Sequence, residues 1–337
     1  MSSPYFPRTF VQGPSLEDLY RDIQPDLALV EEELRKLARS SSRLIKEINS
    51  YLFPKGGKRI RPALLILAAR MSGYDGNDHI LMAAIVEAIH TASLLHDDII
   101  DNSSMRRGKE SVHARWGPNI TVLLGDYLYI KTIGLSLKNE NNGIVRLLSE
   151  ASAQMIEGEI AEYDFSRNTE ITEGDYFNII DKKTAGLFAA SCRIGGILGC
   201  APKADLDRLS AYGTDLGMTF QLIDDLLDFT GDAGLLGKPI LSDLGEGRIT
   251  LPLIRALRQD GPVLRSRLLS LMSRNPLDDS AKQEILGILQ DNGALEYAFR
   301  KAEKYADAAR DSISRLPDSP QRDILGRMAD FVLGRDN

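Results

Sequence analysis

The sequence predicts an all-α fold, and three observations predict it. The stretch between Pro118 and Pro202 contains no proline, so nothing there breaks a helical hydrogen-bond ladder. Leu, Ala, Glu and Lys, all good helix formers, recur throughout together with Ile. Alternating β-branched runs bounded by tight turns are nearly absent. No linker rich in Pro, Gly or Ser divides the chain. Residues 1–337 are therefore expected to form one domain, with 1–14 a loose N-terminal arm. A chain of 337 residues, 43% of them hydrophobic, can bury a large core, although its length alone would also allow two domains.

The formal net charge of −7 argues against general nucleic-acid binding. No run of 18 apolar residues suggests a membrane span, and Met1 to Pro14 lacks the charge-then-apolar layout of a signal peptide. The two cysteines, Cys192 and Cys200, have neither metal-ligand spacing nor a disulfide framework. That usage suits a reducing compartment, and the cytoplasm is the expected location.

In chain order, Ser15-x-x-Asp18, Thr172-x-x-Asp175 and Ser280-x-x-Gln283 read as helix starts. Gly56-Gly57-Lys58-Arg59-Ile60-Arg61-Pro62 reads as a glycine stop followed by a new helix. Pro62 fits its first turn, and three basic side chains lie where the helix start favours anions. The most informative stretch follows, Leu94-Leu95-His96-Asp97-Asp98-Ile99-Ile100-Asp101. At about 100° per residue, Asp97 and Asp101 share one helix face and Asp98 lies beside them. Leu94, Leu95, Ile99 and Ile100 read as core-facing. Carboxylates crowded at the edge of an apolar core repel one another and are costly to desolvate. A hard cation would relieve both costs, and Mg2+ prefers oxygen ligands and a substrate phosphate. Taken alone, the run is equally compatible with a solvated acidic face.

It is not alone. Phe220-Gln221-Leu222-Ile223-Asp224-Asp225-Leu226-Leu227-Asp228 repeats the Asp-Asp-x-x-Asp spacing among apolar residues. The first copy also continues into Asn102-Ser103-Ser104-Met105-Arg106-Arg107-Gly108, whose arginine forks match phosphate oxygens. Acids on two helices followed by bases fit a diphosphate held through Mg2+. Between the copies, Val112 to Trp116 reads as a cover for the site, and Leu124 begins a long apolar helix. Asn139 to Gly143 reads as a helix-ending loop. Glu157, Glu159 and Glu162 read as a partly solvated face, and Gly195, Gly196, Gly199, Gly213 and Gly217 as close helix contacts.

On these strings the chain resembles the trans-isoprenyl diphosphate synthases, most of all their long-chain octaprenyl, heptaprenyl and solanesyl members. Leu94 to Gly108 matches that family's first aspartate-rich motif with its Arg-Arg-Gly tail, and Phe220 to Asp228 the second. The likeness runs from about Asp18 to Arg335. It implies the isoprenoid synthase fold, with helices around a deep central cavity, and a Mg2+-dependent condensation of isopentenyl diphosphate with an allylic diphosphate. It implies three Mg2+ ions on Asp97, Asp101 and Asp224, with Asp98 and Asp225 also catalytic. Lys58, Arg61, His90 and Arg107 would hold isopentenyl diphosphate; Arg106, Lys183, Thr184, Gln221 and Lys238 would hold the allylic partner. At Arg248 the family more often has Lys. From Ser280 onward, including Tyr305 and Arg335, the tail reads as scaffold.

The resemblance also implies a homodimer, and a long greasy product suggests peripheral membrane contact. Ser93 and Ala92, one turn before Asp97, are small where short-chain members commonly place an aromatic. That points to a product of thirty-five to fifty carbons, the length of a quinone side chain, with Ile133 and Leu137 as candidate floor residues. A shorter geranylgeranyl or farnesyl product and a non-catalytic subunit of a two-component synthase are the alternatives. Such subunits usually lose their acids. A terpene cyclase would lack the glycine-lysine-arginine loop, and a lipid-binding bundle would not need paired acids and arginines.

Overall fold

The computed structural model describes residues 14–37, 40–53, 57–106, 108–139, 141–231, 240–259, 261–274 and 276–335. The chain starts with a short helix α1 (Leu16–Tyr20), which runs through a 3-10 turn into α2 (Gln24–Leu37). It continues through α3 (Arg43–Leu52), α4 (Ile60–Met71) and α5 (Asp78–Ile100). After a two-stranded hairpin, β1 (Met105–Arg106) and β2 (Lys109–Glu110), come α6 (Val112–Trp116), α7 (Pro118–Ser136), α8 (Asn142–Asp164) and α9 (Glu173–Ile180). A π-helical turn (Asp181–Ala185) joins α9 to α10 (Gly186–Leu198), which is followed by the 28-residue α11 (Lys203–Thr230). The remainder is α12 (Ser242–Gly245), α13 (Leu251–Gln259), α14 (Pro262–Met272), α15 (Asp279–Asp291), α16 (Ala294–Ser314) and α17 (Pro320–Leu333).

Caps explain several of these starts. Ser15 Oγ accepts from the Asp18 amide, and Thr172 with Asp175 forms a reciprocal capping box. The start expected at Ser280 is corrected: Asp278 is the cap, accepting from the Ala281 amide at 2.7 Å, so Ser280 lies within the first turn of α15. An aspartate is as good an N-cap as a serine. The hairpin is the one strand pairing among the described residues, turning through Gly108 at φ 74°.

Packing sorts the apolar side chains into two clusters. One is built on α2, α4, α5, α8, α10 and the first half of α11. The other is built on α9, the second half of α11, and α13 to α16. α10 and α11 approach closely because Gly213 and Gly217 offer no side chain. A Cβ on Gly217 would sit 2.6 Å from Ala185 Cα, and one on Gly213 2.6 Å from the Phe188 carbonyl. α5 is long and apolar enough to cross a membrane by length and composition, but 72% of that stretch is buried inside the protein. Ile100, at its end, is corrected from core to 48% exposed; it sits in the last turn, where the helix leaves the core.

Candidate active site

The two acidic helices, α5 and α11, contribute residues to the same cavities. A cavity of about 210 Å3 is lined by Asp97 of α5 and Asp101 at its C-cap, Asp224 and Asp225 of α11, Lys183 of the π turn, and Asp243 with Arg248 beyond α11. Burial, then the neighbouring Glu159 charge, pushes the Asp97 carboxyl up to about 7 against the pull of Lys183 and Arg106. Asp101 is drawn to Arg248, its Oδ1 3.0 Å from Nη1. Asp224, 57% exposed at its side chain, accepts from Arg335 Nη2 at 2.8 Å.

The remaining aspartates of the two motifs are held by other protein donors. Asp98 is 2% exposed and accepts from Arg106 Nε at 2.6 Å. Although it is adjacent to Asp97 in sequence, it lines a separate cavity. Asp225 is buried and accepts from Tyr176 OH at 2.6 Å and Gln221 Nε2 at 2.7 Å. Burial and then the nearby Asp243 hold its pKa well above the carboxylate range. Asp228 caps α12, accepting from the Ser242 amide and hydroxyl and the Asp243 amide; burial, then Asp243, raises it to about 6.

Lys183 sits on the π turn with Nζ 2.7 Å from Glu159 and also bonded to Glu162. Both glutamates are largely buried, 15% and 23% exposed at the side chain, so the solvated face expected of them is corrected. Only Glu157 keeps that role, 61% exposed and paired with Lys182. The signal available in sequence was the i, i+3 spacing of Glu159 and Glu162 beside Gly158. Gly158 lets α8 reach the turn, since a Cβ there would stand 2.6 Å from Lys183 N. Thr184 Oγ1 donates to Gln221 Oε1 at 2.8 Å, which extends one hydrogen-bond chain through Asp225 to Tyr176.

A second cavity of about 290 Å3 adjoins the first. Its polar lining includes Arg61, His90, Ser93, His96, Asp97, Glu159, Lys183, Thr184, Gln221 and Asp224, and its apolar lining includes Leu94, Ile100, Tyr129, Met155, Ile156, Ile160 and Phe220. Ser93 is on its wall, whereas Ala92 is fully buried in the core. Ile133 and Leu137 line none of the described cavities, and Leu137 is 62% exposed. A third cavity, of about 310 Å3, is lined by Arg59, Glu87, His90, Asp98, Arg106 and Lys109 together with residues of α3 and α6. Val112 of α6 forms part of that wall.

The three bases at the start of α4 do not act as a trio. Arg59, with φ 45°, turns inward and donates to Glu31 and Glu87, each at 2.6 Å. Lys58 is exposed on the loop, and Arg61 lines the second cavity with its guanidinium 4.6 Å from the Phe188 ring. His90 lines both the second and third cavities. Arg107 and Lys238 lie outside the described residues. Sequence reasoning missed Glu159, Glu162, Tyr176 and Arg335; the last, read as scaffold, instead contacts an acid of the site.

The donor set suits a hard cation. Six carboxylates (Asp97, Asp101, Glu162, Asp224, Asp225 and Asp243) line one cavity, and burial followed by the Glu159 charge raises one of them, Asp97. Among the described residues, no group of three His, Cys, Asp or Glu is gathered closely enough to hold a metal ion as it stands. Arg248 pairs with Asp101 and Arg335 with Asp224, while Lys183 pairs with Glu159 and Glu162.

A family model described as polyprenyl synthetase matches residues 42–289. The octaprenyl diphosphate synthase of Escherichia coli (strain K12) is 38% identical over 327 residues, covering 96% of this chain and 99% of that protein. A short chain isoprenyl diphosphate synthase of Methanothermobacter thermautotrophicus is 35% identical over 293 residues, 86% of this chain and 90% of that protein. The crystal structure of a polyprenyl synthase from Caulobacter crescentus CB15, complexed with calcium and isoprenyl diphosphate, superposes with a TM-score of 0.91. It is 33% identical and covers 98% of this chain and 100% of its own.

Proposed function

Because the chain belongs to the polyprenyl synthetase family and is a trans-polyprenyl diphosphate synthase with the isoprenoid synthase fold, we propose that it makes a long all-trans product. It extends an allylic diphosphate with isopentenyl diphosphate to about thirty-five to fifty carbons, for a quinone side chain. One observation carries this reading: the cavity shared by the acids and Lys183 continues into an apolar cavity that Ser93 leaves open.

The roles follow from the charges. Asp97, Asp101 and Asp224 would hold Mg2+, with three ions expected. Bound there, the metal would neutralise the charge developing on the departing diphosphate. Lys183, Arg106 and Lys238 hold that diphosphate from the protein side, while Thr184 and Gln221 fix the wall beside it. Asp98 acts through Arg106, and Asp225 through Gln221 and Tyr176. Lys58, Arg61, His90 and Arg107 hold isopentenyl diphosphate. Leu94, Met155 and Phe220 keep water from the cation left on the allylic carbon.

Two further readings belong to this proposal. Leu123 and Ile130 of α7, with Ile160 and Tyr163 of α8, are 63–74% exposed, an apolar face suited to a second copy of this chain. The enzyme works in the cytoplasm, in keeping with its two free cysteines, and touches the membrane only to release product. The test combines purified protein, Mg2+, labelled isopentenyl diphosphate and farnesyl diphosphate, with products dephosphorylated and sized. A ladder ending at thirty-five carbons or more supports the reading. A stop at twenty keeps the chemistry and overturns the length, and no product at all points to a chain that needs a second subunit. Light scattering at working concentration tests the dimer.

A further inference from the structure

Arg335 follows the last turn of α17 and stands at the edge of the site. Its side chain is 3% exposed, Nη2 donates to the Phe220 carbonyl and to Asp224 Oδ1, each at 2.8 Å, and the guanidinium lies 3.8 Å from the Phe220 ring. Its Nε is buried with no hydrogen-bond partner. An arginine kept only for packing would be covered by several acceptors or would reach water, because a buried guanidinium short of partners is costly. Arg335 is instead committed to one carbonyl and one carboxylate oxygen.

Asp224 is the reciprocal case. Its side chain is 57% exposed and lines both the acidic and the apolar cavities. Among the described residues, Arg335 is the one hydrogen-bond donor it meets. Without that contact the carboxylate would rotate freely over the cavity mouth. With it, Oδ1 is fixed and Oδ2 is left for another ligand.

We propose that Arg335 is a positioning residue for Asp224: it orients that carboxylate toward the cavity, so that the end of the chain sets how tightly the site takes a divalent cation with a diphosphate. This rests on the reading of Asp224 as a cation ligand. Partners that orient a ligating carboxylate commonly change metal affinity 10–100-fold when removed.

The experiment is calorimetric titration of the full chain with Mg2+ in the presence of inorganic pyrophosphate, which involves no turnover. Arg335→Met keeps the stem on Phe220, and roughly tenfold weaker Mg2+ binding is expected. Arg335→Lys should recover part of it. Arg335→Met combined with Asp224→Asn should bind no more weakly than Asp224→Asn alone, since both changes remove the same contribution. A merely structural arginine would give losses that add. Should Arg335→Met fail to fold, Arg335→Gln, which can still donate to the Phe220 carbonyl, should show the same loss. Wild-type affinity in the Met or Gln variant, or additive losses, overturns the proposal alone. If the unmodified chain shows no Mg2+-dependent pyrophosphate binding, or Asp224→Asn binds as it does, the metal reading falls and the proposal falls with it.

Discussion

Arg248 Nη1 lies 3.0 Å from Asp101 Oδ1, so the last acid of the first motif is paired with a base 147 positions later (248 − 101). The same guanidinium binds Asp243 at 2.6 Å and also Glu246. One positive charge thus serves three carboxylates that are 17–23% exposed. Removing one partner of such a buried set leaves uncompensated charge, at a cost of about 3–5 kcal/mol. Arg248→Met should therefore lower the metal-free melting temperature by roughly 5–10 °C. Mg2+ with pyrophosphate should raise it more in the variant than in the unmodified chain, because the cation replaces the missing charge. Thermal melts with and without both additives decide this; equal shifts would show that Asp101 and the cation do not share the role of Arg248.

Asp215, on α11 and away from the two motifs, gives a pH dependence. Burial raises its carboxyl to about 6, and Tyr305 feels its charge. A carboxyl raised in the folded state binds a proton that the unfolded chain has released. Its contribution to stability is complete below about pH 4, the unfolded value, and is lost as pH rises through about 6. Asp215→Asn should remove that loss. Allowing for the solvent that still reaches the group, the gain at pH 8 relative to the parent is on the order of 1 kcal/mol, or ~2–4 °C. It should shrink at pH 5. Melts at the two pH values check the sign, and a gain that does not change with pH would mean Asp215 does not titrate as described.

Two glycine substitutions separate helix packing from helix propensity. A Cβ on Gly158 would meet Lys183 N at 2.6 Å, whereas one on Gly287 of α15 would meet nothing within 4 Å. Gly287→Ala should stabilise by about 0.5–1 kcal/mol with turnover unchanged. Gly158→Ala has to push the π turn that carries Lys183. Overpacking of this kind costs roughly 1–3 kcal/mol, and turnover should fall about tenfold or more because Lys183 moves from its place beside Asp97. Stability and kcat measured on both variants form the test; a Gly158→Ala enzyme with full turnover would free Lys183 from the role assigned to it.

The fold class and the two acidic helices were legible in sequence because each rests on a local regularity. The missing prolines mark long helices, and the Asp-Asp-x-x-Asp spacing recurs intact. What was not legible depends on partners far away in the chain. Asp98 and Asp97 are neighbours, yet one turns to Arg106 and the other to the cavity. The spacing could not distinguish Glu159 from Glu157; that needed the position of Lys183, which α9 and the π turn set. Arg335 gave no signal at all, since its meaning comes from packing against Phe220, 115 positions earlier. Ser280 was misread for the opposite reason: Asp278, two residues before it, is an equally good cap.

Product length should respond to Ser93, because the geometry divides a pair that sequence treated together. Both Ala92 and Ser93 precede Asp97 by about one turn, but Ser93 lines the apolar cavity of about 290 Å3, while Ala92 has no exposed surface. Ser93 Oγ bonds only back to the His90 carbonyl at 2.9 Å, so replacing it strands no distant partner. Ser93→Phe places a ring across the cavity near Tyr129 and Met155, and it should shorten the product to roughly fifteen to twenty carbons with kcat for the first condensation largely kept. Ala92→Phe forces a ring into a filled core, where overpacking costs about 1–3 kcal/mol or more; its effect should appear first as a lowered melting temperature. Sizing dephosphorylated products from both variants, alongside their melts, tells the two positions apart. A Ser93→Phe enzyme that still makes the parent length would mean the chain does not grow past Ser93, and the cavity would have to be read as something other than the product tunnel.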